Sequence, residues 1–136
     1  MSLSSERAAI EGRFKTQLAA SAYSSWAVGY DAHDFKAQVN SFRLTIQSGG
    51  AENESMGAPG SNMVRHAGAI MIQIFTNGGT GSETARGAAE AVMGFFRNQL
   101  FGGVRCRAPY VSGTSDAEGF YTMTVAVPFE RDEFNG

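Results

Sequence analysis

Four features of this chain carry residue types that do chemistry elsewhere. The first is the turn Thr76-Asn77-Gly78-Gly79-Thr80-Gly81-Ser82, set between an apolar run and a helical pattern. Backbone amides at such a junction attract anions. No lysine follows the glycines and the spacing is not Gly-x-Gly-x-x-Gly, so neither nucleotide pattern is met. Plain turn chemistry accounts for it. The second is Asp31, His33 and Asp34, which offer a metal ligand or two. The only other histidine is His66, no i,i+4 ligand pair exists, and no Cys/His set completes a site. A polar loop is the better account. The third is the lone cysteine, Cys106, between Arg105 and Arg107. Guanidinium groups beside a sulfur lower its pKa, but strand alternation puts this one on the opposite face, with Val104 and Ala108. A buried, inert thiol is expected. The fourth is a serine nucleophile. The Gly-x-Ser-x-Gly elbow is missing, although a triad assembles in space and leaves no mark on sequence order. The expectation is a protein that is not an enzyme, with no cofactor and no metal.

The elements that would position these residues centre on Val64 to Leu100. Ile70-Met71-Ile72-Gln73-Ile74-Phe75 is rich in β-branched and aromatic side chains and predicts a largely buried strand. Thr80 to Glu83 has the form of a capping box. Ala85, Ala88, Ala89, Val92, Phe96 and Leu100 then recur at steps of three and four, which predicts a helix running to about Leu100, with Gly102-Gly103 as its stop. Upstream, Ser4 caps a first helix with Glu6 in its first turn and a stripe of Leu3, Ile10, Phe14 and Leu18. Trp26 to Tyr30 reads as a short strand, and Phe42, Leu44 and Ile46 alternate with polar residues as a half-buried one. Val104 to Ala108 and Phe120 to Val127 are two further strands, ended by Pro109 and Pro128, with a turn region from Val111 to Gly119.

These elements predict an α+β fold in the order α-β-β-β-α-β-β. It is a two-layer sandwich whose mixed, mainly antiparallel sheet has four or five strands, with both helices on one face. Residues 1–136 form a single domain, with a long glycine-rich, polar loop over 48–63 and an acidic, frayed tail over 130–136. Two readings of the loop stand: a tolerated hairpin connection, or a segment ordered against a partner.

Bulk properties exclude other classes. The chain has 136 residues and a formal net charge of −2, so no strong field draws nucleic acid or anionic membrane. Its ten phenylalanines sit mostly at core-phase positions without interleaved basic residues, which is not a base-stacking platform. No apolar run approaches the ~18 residues of a membrane span. Met1 to Arg7 lacks the plan of a signal peptide, so a cytosolic, soluble protein is expected.

The arrangement resembles the tail terminator proteins of long-tailed bacteriophages and phage-like particles, over nearly the full chain. It runs from the leading helix and Trp26 to Tyr30, through Phe42-Arg43-Leu44-Thr45-Ile46, to Gly68 to Phe75 leading by Gly78-Gly79-Thr80-Gly81 into Ala85-Arg86-Gly87-Ala88-Ala89-Glu90, and closes on Phe120 to Phe129. These motifs are structural rather than catalytic. The resemblance implies a virion protein at the head-proximal end of the tail, assembled in the host cytoplasm. It implies a ring, usually a hexamer, that caps the tail tube, stops its polymerisation and offers a surface to head-completion proteins. DNA would pass through the lumen without sequence-specific binding, and no membrane is involved. The implied partners are further copies of the chain, the tail tube protein and a neck protein. Glu52, Asn53, Glu54, Met56, Pro59, Asn62 and Met63 are the interface candidates, Met56 first because it is apolar in a polar loop. A head-completion or neck connector of the same particle is the alternative, and a small anion-binding α/β enzyme using the Gly78 to Ser82 turn is a third.

Overall fold

The computed structural model describes residues 3–30, 38–53, 62–79, 82–117 and 119–135. Its elements are α1 (Leu3–Ala19), β1 (Ala27–Gly29), β2 (Ser41–Asn53), β3 (Asn62–Asn77), α2 (Glu83–Phe96), β4 (Leu100–Phe101), β5 (Val104–Cys106), β6 (Tyr110–Ala117) and β7 (Phe120–Asn135). The fold is α+β as expected, but among the described residues the mixed sheet has seven strands rather than four or five. Its order is β1-β2-β3-β7-β5-β4, and β6 pairs with β7 on the same side as β5. Among the described residues only β1 and β2 pair in parallel.

One face of the sheet holds the core. Phe42, Leu44, Ile70, Ile72, Ile74, Met123, Val125, Val127 and Phe129 alternate inward. They meet Ala85, Ala88, Ala89, Val92, Phe95 and Phe96 of α2 and Ile10, Phe14 and Leu18 of α1. Phe14 joins the layers. Its ring lies 5.7 Å from Phe42, 6.0 Å from Phe95 and 6.4 Å from Phe96, within the range of favourable aromatic pairs. Arg13 donates to the Phe95 carbonyl at 2.9 Å, satisfying one of the free acceptors at the end of α2.

Several expected boundaries move, each for a local reason. α2 ends at Phe96, not Leu100, because Arg97 leaves helical geometry (φ −58°, ψ 112°) and Asn98 then takes a left-handed conformation (φ 52°). Leu100 then lies in β4, 69% exposed, and Gly102 and Gly103 (φ 53° and 84°) make the β4–β5 turn instead of a helix stop. Ser82 rather than Thr80 is the N-cap of α2, without a side-chain cap bond; Thr80 and Gly81 lie outside the described residues. Leu3 is 64% exposed, and the fourth member of the α1 stripe is Glu6. The region 111–119 read as turn is mostly β6. The loop read over 48–63 is strand at both ends, because a backbone ladder forms between polar residues as readily as apolar ones; 48–53 belong to β2 and 62–63 to β3. The tail read as frayed is strand from Glu130 to Asn135, paired with β3 down to Asn62.

β7 continues through Pro128 for a specific reason. The Pro128 carbonyl accepts from the Arg107 amide at 2.8 Å, so the missing Pro128 N–H lies on that same side. There the neighbouring strand changes from β6 to β5, and no ladder bond is lost.

Candidate assembly interface

β3 and β7 have 16 residues each, about 50 Å of paired strand at 3.3 Å per residue. α2 has 14 residues, about 21 Å at 1.5 Å per residue. The sheet therefore outruns α2, and α1 covers it as far as Arg131. On the inner face full burial ends at Ile70 on β3 but continues on β7 through Phe129, which pairs with Gly68, and Arg131, which pairs with His66. Gly68 permits this transition: a Cβ there would stand 2.5 Å from the Gln47 carbonyl oxygen and 2.8 Å from the Phe129 ring.

At that boundary α1 closes the core with charge. Arg131 Nε donates to Glu6 Oε1 at 2.7 Å, with the two side chains 1% and 7% exposed. Arg131 also stands 3.7 Å from Glu133, whose carboxylate is 3.0 Å from His66 Nε2. The chain Glu6–Arg131–Glu133–His66 thus runs from buried to half-exposed. It borders a cleft of about 580 Å³ lined by Leu3, Ser4, Ser48, His66, Arg131 and Glu133. A His–carboxylate pair beside two serines invites comparison with a triad. Neither Ser4 nor Ser48 hydrogen-bonds His66, whose ring pairs with Glu133. No cluster of three His, Cys, Asp or Glu side chains able to hold a metal exists among the described residues.

The outer face of the same half carries the mirror arrangement. Glu130 accepts from Arg105 at 2.9 Å and Arg107 at 2.8 Å, and Asp132 accepts from Arg65 at 2.9 Å. Partial desolvation pushes the Glu130 carboxyl up, but the Arg105 hydrogen bond and the charges of Arg107, Arg105 and Arg65 outweigh it and hold it below the usual range. For Asp132 the Arg65 hydrogen bond dominates and holds the carboxyl low against desolvation. Cys106 faces inward as expected, and burial pushes its thiol up to about 12. Arg105 and Arg107 are spent on Glu130 instead.

Of the residues singled out in the sequence, Glu54, Met56 and Pro59 lie outside the described residues, as do Asp31, His33 and Asp34. Glu52 and Asn53 end β2, paired with Arg65 and Val64. Asn62 and Met63 begin β3, paired with Asn135 and Phe134. These four thus share the projecting end of the sheet with the chain's C-terminal stretch, which sequence distance hid. Sequence reasoning missed the Glu6–Arg131 pair, since a glutamate in a first helical turn already has a solvent-side explanation. The available signal was the exact i,i+4 spacing of Glu6, Ile10, Phe14 and Leu18.

No helix among the described residues is long and apolar enough to cross a membrane. No family model matches the sequence, and no curated protein matches it. Solved structures do match. One, whose title states no function, superposes with a TM-score of 0.75 at 20% identity, covering 96% of each chain. A second, a chain of a structure titled "Virion of native gene transfer agent (GTA) particle", superposes with a TM-score of 0.51 at 16% identity, covering 93% of this chain and 94% of that one. Both likenesses establish the fold.

Proposed function

We propose that this chain is a structural component of a phage-like particle, and within it the tail terminator: a ring, hexameric by family resemblance, that caps the tail tube, stops its growth and receives the neck. The observation that carries the proposal is the near full-length match to a chain of the gene transfer agent virion. It agrees with the resemblance read from the glycine-rich turn and its flanking strand and helix. Supporting it, the described residues spend their charged groups on ion pairs that brace a projecting sheet rather than on an assembled catalytic group. In this role the chain is not an enzyme, and its partners are its own copies, the tube protein and a head-completion protein.

The test is light scattering on the purified chain, alone and with tail-tube protein, followed by electron microscopy of tube ends. A ring-sized species, or a monomer that caps tube ends and halts their growth, is the expected result. A chain that ignores tubes and binds DNA-filled heads instead would make it a neck connector; one that binds neither removes the virion role.

A further inference from the structure

Two lateral margins of the sheet, each paired on one side only among the described residues, lie at the same height; on β1 Ala27 is exposed, Val28 half-buried and Gly29 buried. Tyr110–Ala117 (β6) pairs only with β7 among the described residues. Every side chain from Tyr110 to Asp116 is exposed, including Tyr110 at 54% and Val111 at 42%. Edge strands of free-standing sheets are normally guarded by lysine, proline or a bulge. β6 has no lysine, and its bulge, between Val111 and Gly113, lies toward one end. Gly113 to Ala117 remains a regular edge whose one charged residue is Asp116. Across the sheet, Ala27–Gly29 (β1) pairs only with β2 among the described residues.

The register aligns these margins. Ala27, Ser41, Phe75, Thr122 and Ser115 form one row; Val28, Phe42, Ile74, Met123 and Thr114 the next; Gly29, Arg43, Gln73, Thr124 and Gly113 the third. Strand sense follows from the pairings. β2 and β7 run with β1, whereas β3 and β6 run against it. Rotation about an axis along the strands keeps those senses. It therefore brings β6 of one copy antiparallel to β1 of the next, the better-bonded arrangement. The contact uses different patches on the two copies, so it repeats around a closed ring.

We propose that copies of this chain join edge to edge, Gly113–Ala117 of one adding to Ala27–Gly29 of the next. The occupant of each of these margins is a second copy of this chain. The choice of a cyclic arrangement rests on the ring proposed above; the edge pairing does not require a tail.

The test is the double variant Ala27→Cys/Ser115→Cys. Both positions are exposed and share a row. Residues opposed across an antiparallel pair have Cβ atoms about 4.5–5.5 Å apart, within reach of a short bis-maleimide. Cys106 is buried and stays silent. The double variant should give a covalent ladder of dimers and higher species on a denaturing gel. An equimolar mixture of the two single variants should stop at dimer, and Ser115→Lys should abolish association without altering unfolding. No intermolecular product from the double variant, with or without tail tubes, overturns the edge pairing. Cross-linked rings that leave tube ends uncapped would remove the terminator role and keep the pairing; capped tubes without cross-links would do the reverse.

Discussion

Replacing Glu6 isolates the term that docks α1 onto the projecting half of the sheet. Arg131 is 1% exposed, and Glu6 is its partner at 2.7 Å. Glu6→Leu takes this carboxylate from a guanidinium that is out of water, with Glu133, 3.7 Å away and 38% exposed, still near it. Breaking a buried pair from one side costs about 3–5 kcal/mol. Glu133 returns part of that, so about 3 kcal/mol is expected, or a fall in melting temperature of about 10 °C for a chain of this size. The informative measurement is the cycle of Glu6→Leu, Arg131→Met and both together, by urea unfolding with slopes compared. Each single change should cost about 3 kcal/mol, while the double change, which removes both charges, should cost far less than the sum. Additive losses, or a Glu6→Leu cost below about 1 kcal/mol, would refute the idea that the pair is coupled and desolvated.

Three further outcomes follow from the same geometry. Glu130 and Asp132 have lowered folded values, so their ion pairs stabilise the fold above the ordinary carboxylate values of 4.5 and 3.8 and lose that contribution as pH falls through the lowered ones. Arg65→Ala should raise the Asp132 midpoint in a carboxyl-carbon NMR titration, move acid unfolding to higher pH, and lower stability at neutral pH by no more than about 1 kcal/mol; an unmoved midpoint contradicts the assignment. Cys106, with its thiol near 12, should resist a thiol reagent at pH 8 in the folded chain and react fully in urea; rapid native labelling would show that the sulfur is accessible. Gly68→Ala should destabilise by about 1–3 kcal/mol, measured by thermal melting, since its new methyl meets a backbone carbonyl at 2.5 Å and cannot push it aside cheaply; an unchanged melt would mean that β2 and β3 can separate there.

The central strand, both helices, the inward alternation of Phe42 and Leu44 and the burial of Cys106 were all legible in the chain, because each rests on periodicity within one element. So was the apolar face of α2, down to Ala85, Ala88, Ala89, Val92 and Phe96. The extent of the strands was not. Ser48 to Asn53 and Glu130 to Asn135 have little apolar pattern, and their strand state comes from backbone bonds to partners remote in sequence. Leu3 and Glu6 exchanged their expected places for a similar reason: hydrophobicity favours burying Leu3, but only the fold brings Arg131 to the first turn of α1. Sequence alone thus determined which residues could form a core and where the central turn falls, since those depend on local spacing. Tertiary structure decided which charges are buried, how far the sheet projects and which edges stay open, since those depend on pairings between residues as far apart as Glu6 and Arg131.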